Sequence, residues 1–381
     1  MKSKKSDVET VLTKLGRSPV EFRGAVNTPL FRNSTVVFSS VKELLASEAL
    51  PFETMNYGRL GNPTHWALED AVAELEDGYK SVLASSGLAM IVTTILAYAT
   101  AGTHLLVPTN VYRGVRRFCT EVLQNMNIDI EFYDPSISAA IAKLIRSNTA
   151  LVYVESPGST DFEIADLPAI VKASKARNIP VVVDNTWATP LYYKPLALGA
   201  DVSLHSATKY ILGHSDALLG IATCTKKSWP IVKRMAFLLG ANASPEDAYM
   251  ALRGIRSLSL RMAQHQASAL KVAKWLSERP EVVKVFYPAL KNSTSYRLWK
   301  RDFTGASGRF AFELIPCSQN KIEKMLDNME HFEIGHGWGG YESLILPELV
   351  SKRRYMLRLS IGFENSNDLI LDLANAFARL K

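Results

Sequence analysis

The sequence predicts an α/β protein with a mostly parallel sheet, preceded by an arm and followed by a smaller α+β domain. Three observations carry this expectation. From about residue 61, short apolar strand candidates alternate with amphipathic helices, the pattern of a sheet with crossover helices. Runs such as Val181-Val182-Val183 are apolar at successive positions, so both faces of those strands are expected to be buried. After about Arg256 the alternation gives way to a long helix and scattered strands.

Residues 1–60 hold one helix candidate near Val8–Leu15, then a Pro- and Asn-punctuated stretch through Pro63 with no sustained period. This reads as an arm that packs on a partner subunit. The basic start, Met1-Lys2-Ser3-Lys4-Lys5, runs into Asp7 and Glu9 without an apolar segment, so a solvated, frayed terminus is expected rather than a secretory signal. Asn62-Pro63-Thr64 caps a helix through Trp66, Leu68, Ala71, Val72 and Leu75, ending near Gly78. Strands are expected at Ser81–Ala84, His104–Pro108, Ile128–Tyr133, Ala150–Glu155, Val181–Asp184 and Asp201–His205. Helices are expected at Leu88–Ala99, Gly114–Asn125, Ser138–Ile145 and Leu167–Arg177. Together these make one domain over residues 61–256. Over 257–381, a helix at Leu260–Ser277 leads to strands at Val282–Tyr287 and Arg309–Leu314, then to further helical and strand segments.

With 381 residues, 47% of them hydrophobic, the chain can bury a sizeable core. A net charge of +7 on a chain that is 21% charged is a mild excess. It suits an anionic small molecule as well as nucleic acid, but no basic stripe or aromatic-basic module points to the latter. Cys119, Cys224 and Cys317 lack paired spacing, which fits a reducing cytoplasm and neither a disulfide framework nor a metal site. No window approaches 18 consecutive apolar residues, so no membrane span is expected.

In open parallel sheets, ligands bind beyond the carboxyl ends of the strands. Here those ends carry Ser85-Ser86-Gly87, Asn110-Val111-Tyr112, Glu155-Ser156-Pro157-Gly158-Ser159, Asp184-Asn185-Thr186 and Ser206-Ala207-Thr208-Lys209. A lone lysine is most often a surface charge, and an Asp ending a strand is most often a cap or turn residue. The set as a whole suits pyridoxal 5'-phosphate (PLP). Gly87 opens a helix whose N-terminus can take a phosphate, with Ser206 and Thr208 as hydroxyl donors. Asp184 can pair with a pyridinium nitrogen, Tyr112 can lie on the ring, and Lys209 can form a Schiff base.

The chain resembles the Cys/Met-metabolism family of fold-type-I PLP enzymes from about residue 20 onward. The blocks that carry this are Asn56-Tyr57-Gly58-Arg59-Leu60-Gly61-Asn62-Pro63-Thr64, Val183-Asp184-Asn185-Thr186-Trp187 and Ser206-Ala207-Thr208-Lys209-Tyr210. Two more follow, Gly337-Trp338-Gly339-Gly340-Tyr341-Glu342-Ser343-Leu344 and Arg358-Leu359-Ser360-Ile361-Gly362. The resemblance implies a PLP-dependent transferase-like (aspartate aminotransferase-like) fold with a seven-stranded sheet. It implies that Lys209 is the Schiff-base lysine, Asp184 the pyridinium partner and Tyr112 the stacking residue, while Ser86, Gly87, Leu88, Ser206 and Thr208 hold the phosphate. Tyr57 and Arg59 are implied to reach the phosphate of a neighbouring subunit, within a homotetramer built as a dimer of dimers. Arg358 is implied as the clamp for a substrate α-carboxylate, with Trp338, Tyr57 and Tyr112 beside it.

Within the family, three features favour β-elimination of L-cystathionine to homocysteine, pyruvate and ammonia, with side activity on cysteine or cystine compatible. Glu155-Ser156-Pro157-Gly158-Ser159 resembles the β-lyase segment, whereas γ-enzymes usually carry Thr-Asn-Pro after the same Pro. Trp338 is typical of bacterial β-lyases, and Gly114 is not the Cys of methionine γ-lyases. Bacterial β-lyases often have Tyr-Ser before this Trp, where this chain has His336-Gly337, a departure beside the expected α-carboxylate site. The alternatives are γ-lyase or γ-synthase chemistry on the same scaffold and, in another class, a PLP-containing regulatory protein. Gly335-His336-Gly337-Trp338-Gly339-Gly340 matches a dinucleotide motif formally but lies outside any βαβ unit. His205 and His214 lack metal-ligand spacing and read as packing or hydrogen-bonding residues, and Cys119 reads as core.

Overall fold

The computed structural model describes residues 6–351 and 354–380, so the basic start at Met1–Lys5 lies outside the described residues. Seven strands form the first sheet: β1 (Lys80–Ala84), β2 (His104–Pro108), β3 (Asp129–Tyr133), β4 (Thr149–Glu155), β5 (Val181–Asp184), β6 (Val202–Ser206) and β7 (Gly220–Cys224). Their order is β1-β7-β6-β5-β4-β2-β3, and only β7 runs antiparallel to its neighbours. Reversal on both sides of β7 leaves β1 parallel to β6, so the carboxyl ends of six strands share one rim.

Successive side chains of a strand point to opposite faces, and both faces here are covered. Val182, Leu105, Val107, Leu151 and Tyr153 enter one core with Met90, Ile91 and Ile95 of the Gly87–Tyr98 helix. Val181, Val183, Leu106, Val152 and Val154 enter the opposite core. That second core continues into the C-terminal region, through Phe310, Phe312, Leu357 and Leu359. Burying each such Val or Leu contributes about 1.5–3 kcal/mol, which is why the uninterrupted apolar runs settle as central strands.

A five-stranded sheet of order β10-β11-β12-β9-β8 follows the Leu258–Ser277 helix. Its strands are β8 (Val282–Phe286), β9 (Arg309–Leu314), β10 (Glu333–Ile334), β11 (Leu344–Ser351) and β12 (Arg354–Ser360). All its pairings are antiparallel except β10 with β11.

Four expectations are corrected. The Val8–Leu15 helix closes at Leu12 and gives way to turns ahead of Gly16, whose φ of 58° no helix accommodates. The arm holds a second helix, Val41–Glu48, in which the Ser40 side chain accepts from Glu43 N–H at 3.2 Å and Glu43 accepts from Ser39 N–H at 2.9 Å. The Ser138–Ile145 helix is instead a pair of tight turns over Pro135–Lys143, broken at Ser138 with φ 49°, where the hydroxyl donates to Asp166 at 3.0 Å. Gly114–Asn125 is helical, but the run Arg113–Met126 widens by one residue per turn over Phe118–Leu123.

Candidate active site

The shared rim gathers the strand-end residues. Ser86 follows β1 and caps the Gly87–Tyr98 helix, its hydroxyl accepting from Ala89 N–H at 3.2 Å. The first N–H groups of a helix have no intrahelical acceptor, which leaves those of Gly87 and Leu88 free to bind an anion. A Cβ on Gly87 would lie 2.5 Å from Ser206 Cβ and 2.6 Å from Ser206 Oγ. Only glycine therefore lets the Ser206 hydroxyl sit against that helix end. Gly220, which the sequence reading missed, performs the same service behind it: a Cβ there would fall 2.1 Å from the Ser86 carbonyl. The Thr208 hydroxyl ties its own turn together, accepting from Leu219 N–H at 3.0 Å and donating to Leu219 O at 3.3 Å.

Asp184 ends β5 with 8% exposure. Its Oδ1 accepts from Thr186 N–H at 2.9 Å and Thr186 Oγ1 at 2.5 Å, and its Oδ2 from Tyr153 Oη at 3.4 Å. Burial pushes the carboxyl above the usual range, against the pull of the Thr186 hydrogen bonds. A carboxylate offers about four acceptor sites, so one remains for a further N–H donor. Behind the rim, His205 hydrogen-bonds Glu76, which also accepts from Ser203 Oγ at 2.7 Å and Asn185 Nδ2 at 3.2 Å. His205 is thus a packing and hydrogen-bonding residue, as expected. His214 Nδ1 pairs with the Leu212 carbonyl at 2.7 Å, and Cys119 is buried core.

Lys209 lies in the turn after β6, its Nζ 5.5 Å from the centre of the Trp338 ring. Burial lowers its pKa to about 8, and the positive charges of Arg309 and Arg358 push the same way. Gly339, at φ 86°, brings the backbone of the Trp338 loop onto Lys209, where a Cβ would meet Lys209 C at 3.0 Å. Tyr112 is 47% exposed, and its backbone N–H donates to Glu155 Oε2 at 2.8 Å. Its ring folds over Gly114, where a Cβ would sit 2.5 Å from Tyr112 Cε1. Burial and the Asp184 charge raise the Glu155 carboxyl to about 8.

Arg358 reaches the site from β12, bonded to Glu348 Oε1 at 3.1 Å and to the His336 carbonyl at 3.3 Å. Burial lowers its pKa. Arg309, at the start of β9, was not singled out in the sequence, although a charge directly before the apolar run Phe310-Ala311-Phe312 was a signal. It is 5% exposed, its guanidinium carbon 4.7 Å from the centre of the Trp338 ring. Tyr57 and Arg59 do not join this cluster within the chain. Both are exposed, and Arg59 stacks on Phe237 at 4.9 Å and donates to the Phe237 carbonyl at 3.0 Å.

A half-buried lysine of depressed pKa, a buried carboxylate on the next strand and a free helix end beside a serine hydroxyl define an α/β PLP-dependent enzyme. More narrowly, the chain belongs to the family of Cys/Met metabolism PLP-dependent enzymes, whose profile matches residues 9–378. It is 41% identical to cystathionine beta-lyase MetC of Escherichia coli (strain K12), over 98% of each chain. It is also 38% identical to an L-alanine/L-glutamate racemase of Wolbachia pipientis wMel, over 98% of this chain and 97% of that one. Among solved structures, metB from Corynebacterium glutamicum superposes with a TM-score of 0.92 at 29% identity, over 99% of each chain.

The cofactor of the family is PLP, and the residues present fit it. The Gly87–Ser206 contact forms a cradle that any side chain at Gly87 would fill, and Asp184 keeps an acceptor site open. No cluster of three or more His, Cys, Asp or Glu able to hold a metal occurs among the described residues, and none of their helices is long and apolar enough to cross a membrane.

Proposed function

We propose that this chain is a cystathionine β-lyase, splitting L-cystathionine and water into homocysteine, pyruvate and ammonia. The observation that carries the choice of β- over γ-elimination is the packing of Gly158. A Cβ at this position would lie 2.0 Å from Asn110 Nδ2, and Asn110 is held in place by its bond to Asp161 Oδ1 at 2.7 Å. The Thr of the γ-enzyme segment would collide there, so the loop takes the Gly-Ser form. The identity to MetC of E. coli supports the same reading.

PLP, when bound, supplies a conjugated ring that stores the electron pair left at Cα. Gly87, Leu88, Ser86, Ser206 and Thr208 would hold its phosphate, and Asp184 would keep its nitrogen protonated. Arg358 orients the substrate carboxylate. The Lys209 amine, once free, takes the Cα proton and returns a proton to the departing sulfur; a base with pKa about 8 is matched to both tasks. Tyr112 covers the ring face, and Trp338 with Tyr210, 5.5 Å apart at their ring centres, walls the site from water.

We further read residues 1–60 as an arm, 61–256 as the cofactor domain and 257–381 as the C-terminal domain, in a cytoplasmic homotetramer built as a dimer of dimers. That Tyr57 and Arg59 are exposed in the single chain supports a role for them in completing a neighbour's site. Keto-acid identification tests the activity. Pyruvate from L-cystathionine is expected; 2-oxobutyrate would assign γ-elimination, and D-alanine formed from L-alanine without keto acid would assign racemisation. Mixing and reassembling inactive Tyr57→Ala and Lys209→Ala subunits should restore activity if sites are shared; no recovery in mixed oligomers would refute sharing.

A further inference from the structure

We propose that Arg309 is the second arm of the carboxylate clamp, gripping the substrate's α-carboxylate together with Arg358. This rests on the reading that the site binds an α-amino acid. Directly paired residues of an antiparallel ladder share a face. Arg358 pairs with Ala311 and Ser360 with Arg309, so both guanidiniums project from one face of the five-stranded sheet. That face looks onto Lys209, because the Trp338 ring lies between them: its centre is 4.7 Å from Arg309 Cζ and 5.5 Å from Lys209 Nζ.

Arg309 is held by stacking more than by charge. Besides Trp338, its guanidinium lies 5.3 Å from the centre of the Phe162 ring. Its hydrogen bond to the Ser159 carbonyl is long, at 3.4 Å, and its buried Nε has no partner. Arg358 has Glu348 at 3.1 Å, whereas Arg309 has no ion pair among the described residues. Glu155, the acid whose charge it feels most, is already engaged with the Tyr112 N–H. A buried guanidinium without a paired carboxylate, flanked by two other cations, is costly unless an anion completes it.

The α-carboxylate fits better than a distal one. Lys209 must reach the Cα proton, and the carboxylate bonded to Cα is the acid group nearest that amine. Arg309 is also the deeper of the two guanidiniums, while the mouth of the site is where a long side chain would extend. The loop before Trp338 leaves room for this role, since Gly337 has no side chain and His336 offers only its carbonyl to Arg358.

The test uses PLP-loaded Arg309→Leu and Arg309→Lys enzymes. KM and kcat are measured for L-cystathionine and L-cysteine, and calorimetry gives the Kd of propanoate, an unreactive monocarboxylate. The expected result for Arg309→Leu is a KM raised at least tenfold for both amino acids, a parallel rise in the propanoate Kd, and a smaller fall in kcat. Arg309→Lys should recover part of the loss, which a packing role for the stacked guanidinium would not produce. Unchanged KM and Kd in either cofactor-loaded variant would overturn the proposal. So would a KM rise for cystathionine alone with propanoate unaffected, which would move the contact to the distal carboxylate. Should the wild type release no pyruvate from cystathionine, the proposed function fails, while the propanoate comparison still decides the clamp.

Discussion

The two halves of the site are built on different principles. On the rim of the seven-stranded sheet, polar groups are satisfied by near neighbours: Asp184 by Thr186, Ser86 by Ala89, Thr208 by Leu219. On the five-stranded sheet, Arg309 and Arg358 come together only through the register of β9 with β12, and Arg309 shares the space of one Trp ring with Lys209. The rim is a hydrogen-bonded scaffold that leaves open only the Gly87–Leu88 helix end and one acceptor site on Asp184. The opposite face is an excess of positive charge awaiting an anion. The contrast teaches that the proposed cofactor side is preorganised by local structure, whereas the proposed substrate side is organised by tertiary contact and electrostatics.

Substitutions on the two sides should therefore fail differently. The largest effect belongs to Lys209, where the halves meet: Lys209→Ala should lower pyruvate release by about 10³-fold or more, read in a coupled dehydrogenase assay. Wild-type turnover in that variant would remove the assigned base. Next comes Asp184→Asn on the rim. The Thr186 bonds to Oδ1 can persist, so the fold should hold while kcat drops about 10²-fold, with the visible spectrum of the bound cofactor reporting the altered ring protonation.

Gly87→Ala should cost about 1–3 kcal/mol of stability through overpacking against Ser206, and should weaken cofactor retention more than it changes KM. Thermal unfolding and the PLP content of the dialysed enzyme would check this; an alanine variant with normal retention would show that the cradle does not hold the phosphate.

The smallest effect is a pH shift from the substrate side. In the proposed mechanism Lys209 acts as a base when neutral, so kcat should rise with pH through an apparent pKa near 8. Arg309 disfavours the protonated amine, and its removal lets Lys209 hold its proton to higher pH. The ascending limb of Arg309→Leu should consequently move to higher pH. A limb that stays in place would mean that the two charges are not coupled.

The rim was legible because strand ends announce themselves by a change from apolar to small or polar residues. All six expected strands of the first sheet form, each within a residue of its expected bounds. β7 escaped notice because Gly220-Ile221-Ala222-Thr223-Cys224 is rich in small residues, Gly220 among them for its close approach to Ser86. The Val41–Glu48 helix carried a readable signal in Ser40-x-x-Glu43, but its weak apolar face hid it. The break at Ser138 rests on a bond to Asp166, 28 residues away, which no local propensity encodes.

By itself the sequence determined the α/β class, the cofactor and the rim residues, because burial on two faces and chemistry at strand ends are local properties of the chain. Tertiary structure alone decided that Gly158 abuts Asn110, that Lys209 feels the charge of two guanidiniums and that Arg309 is one of them. Those facts depend on the packing of one sheet against another and on strand register, and electrostatic coupling follows distance in space rather than along the chain.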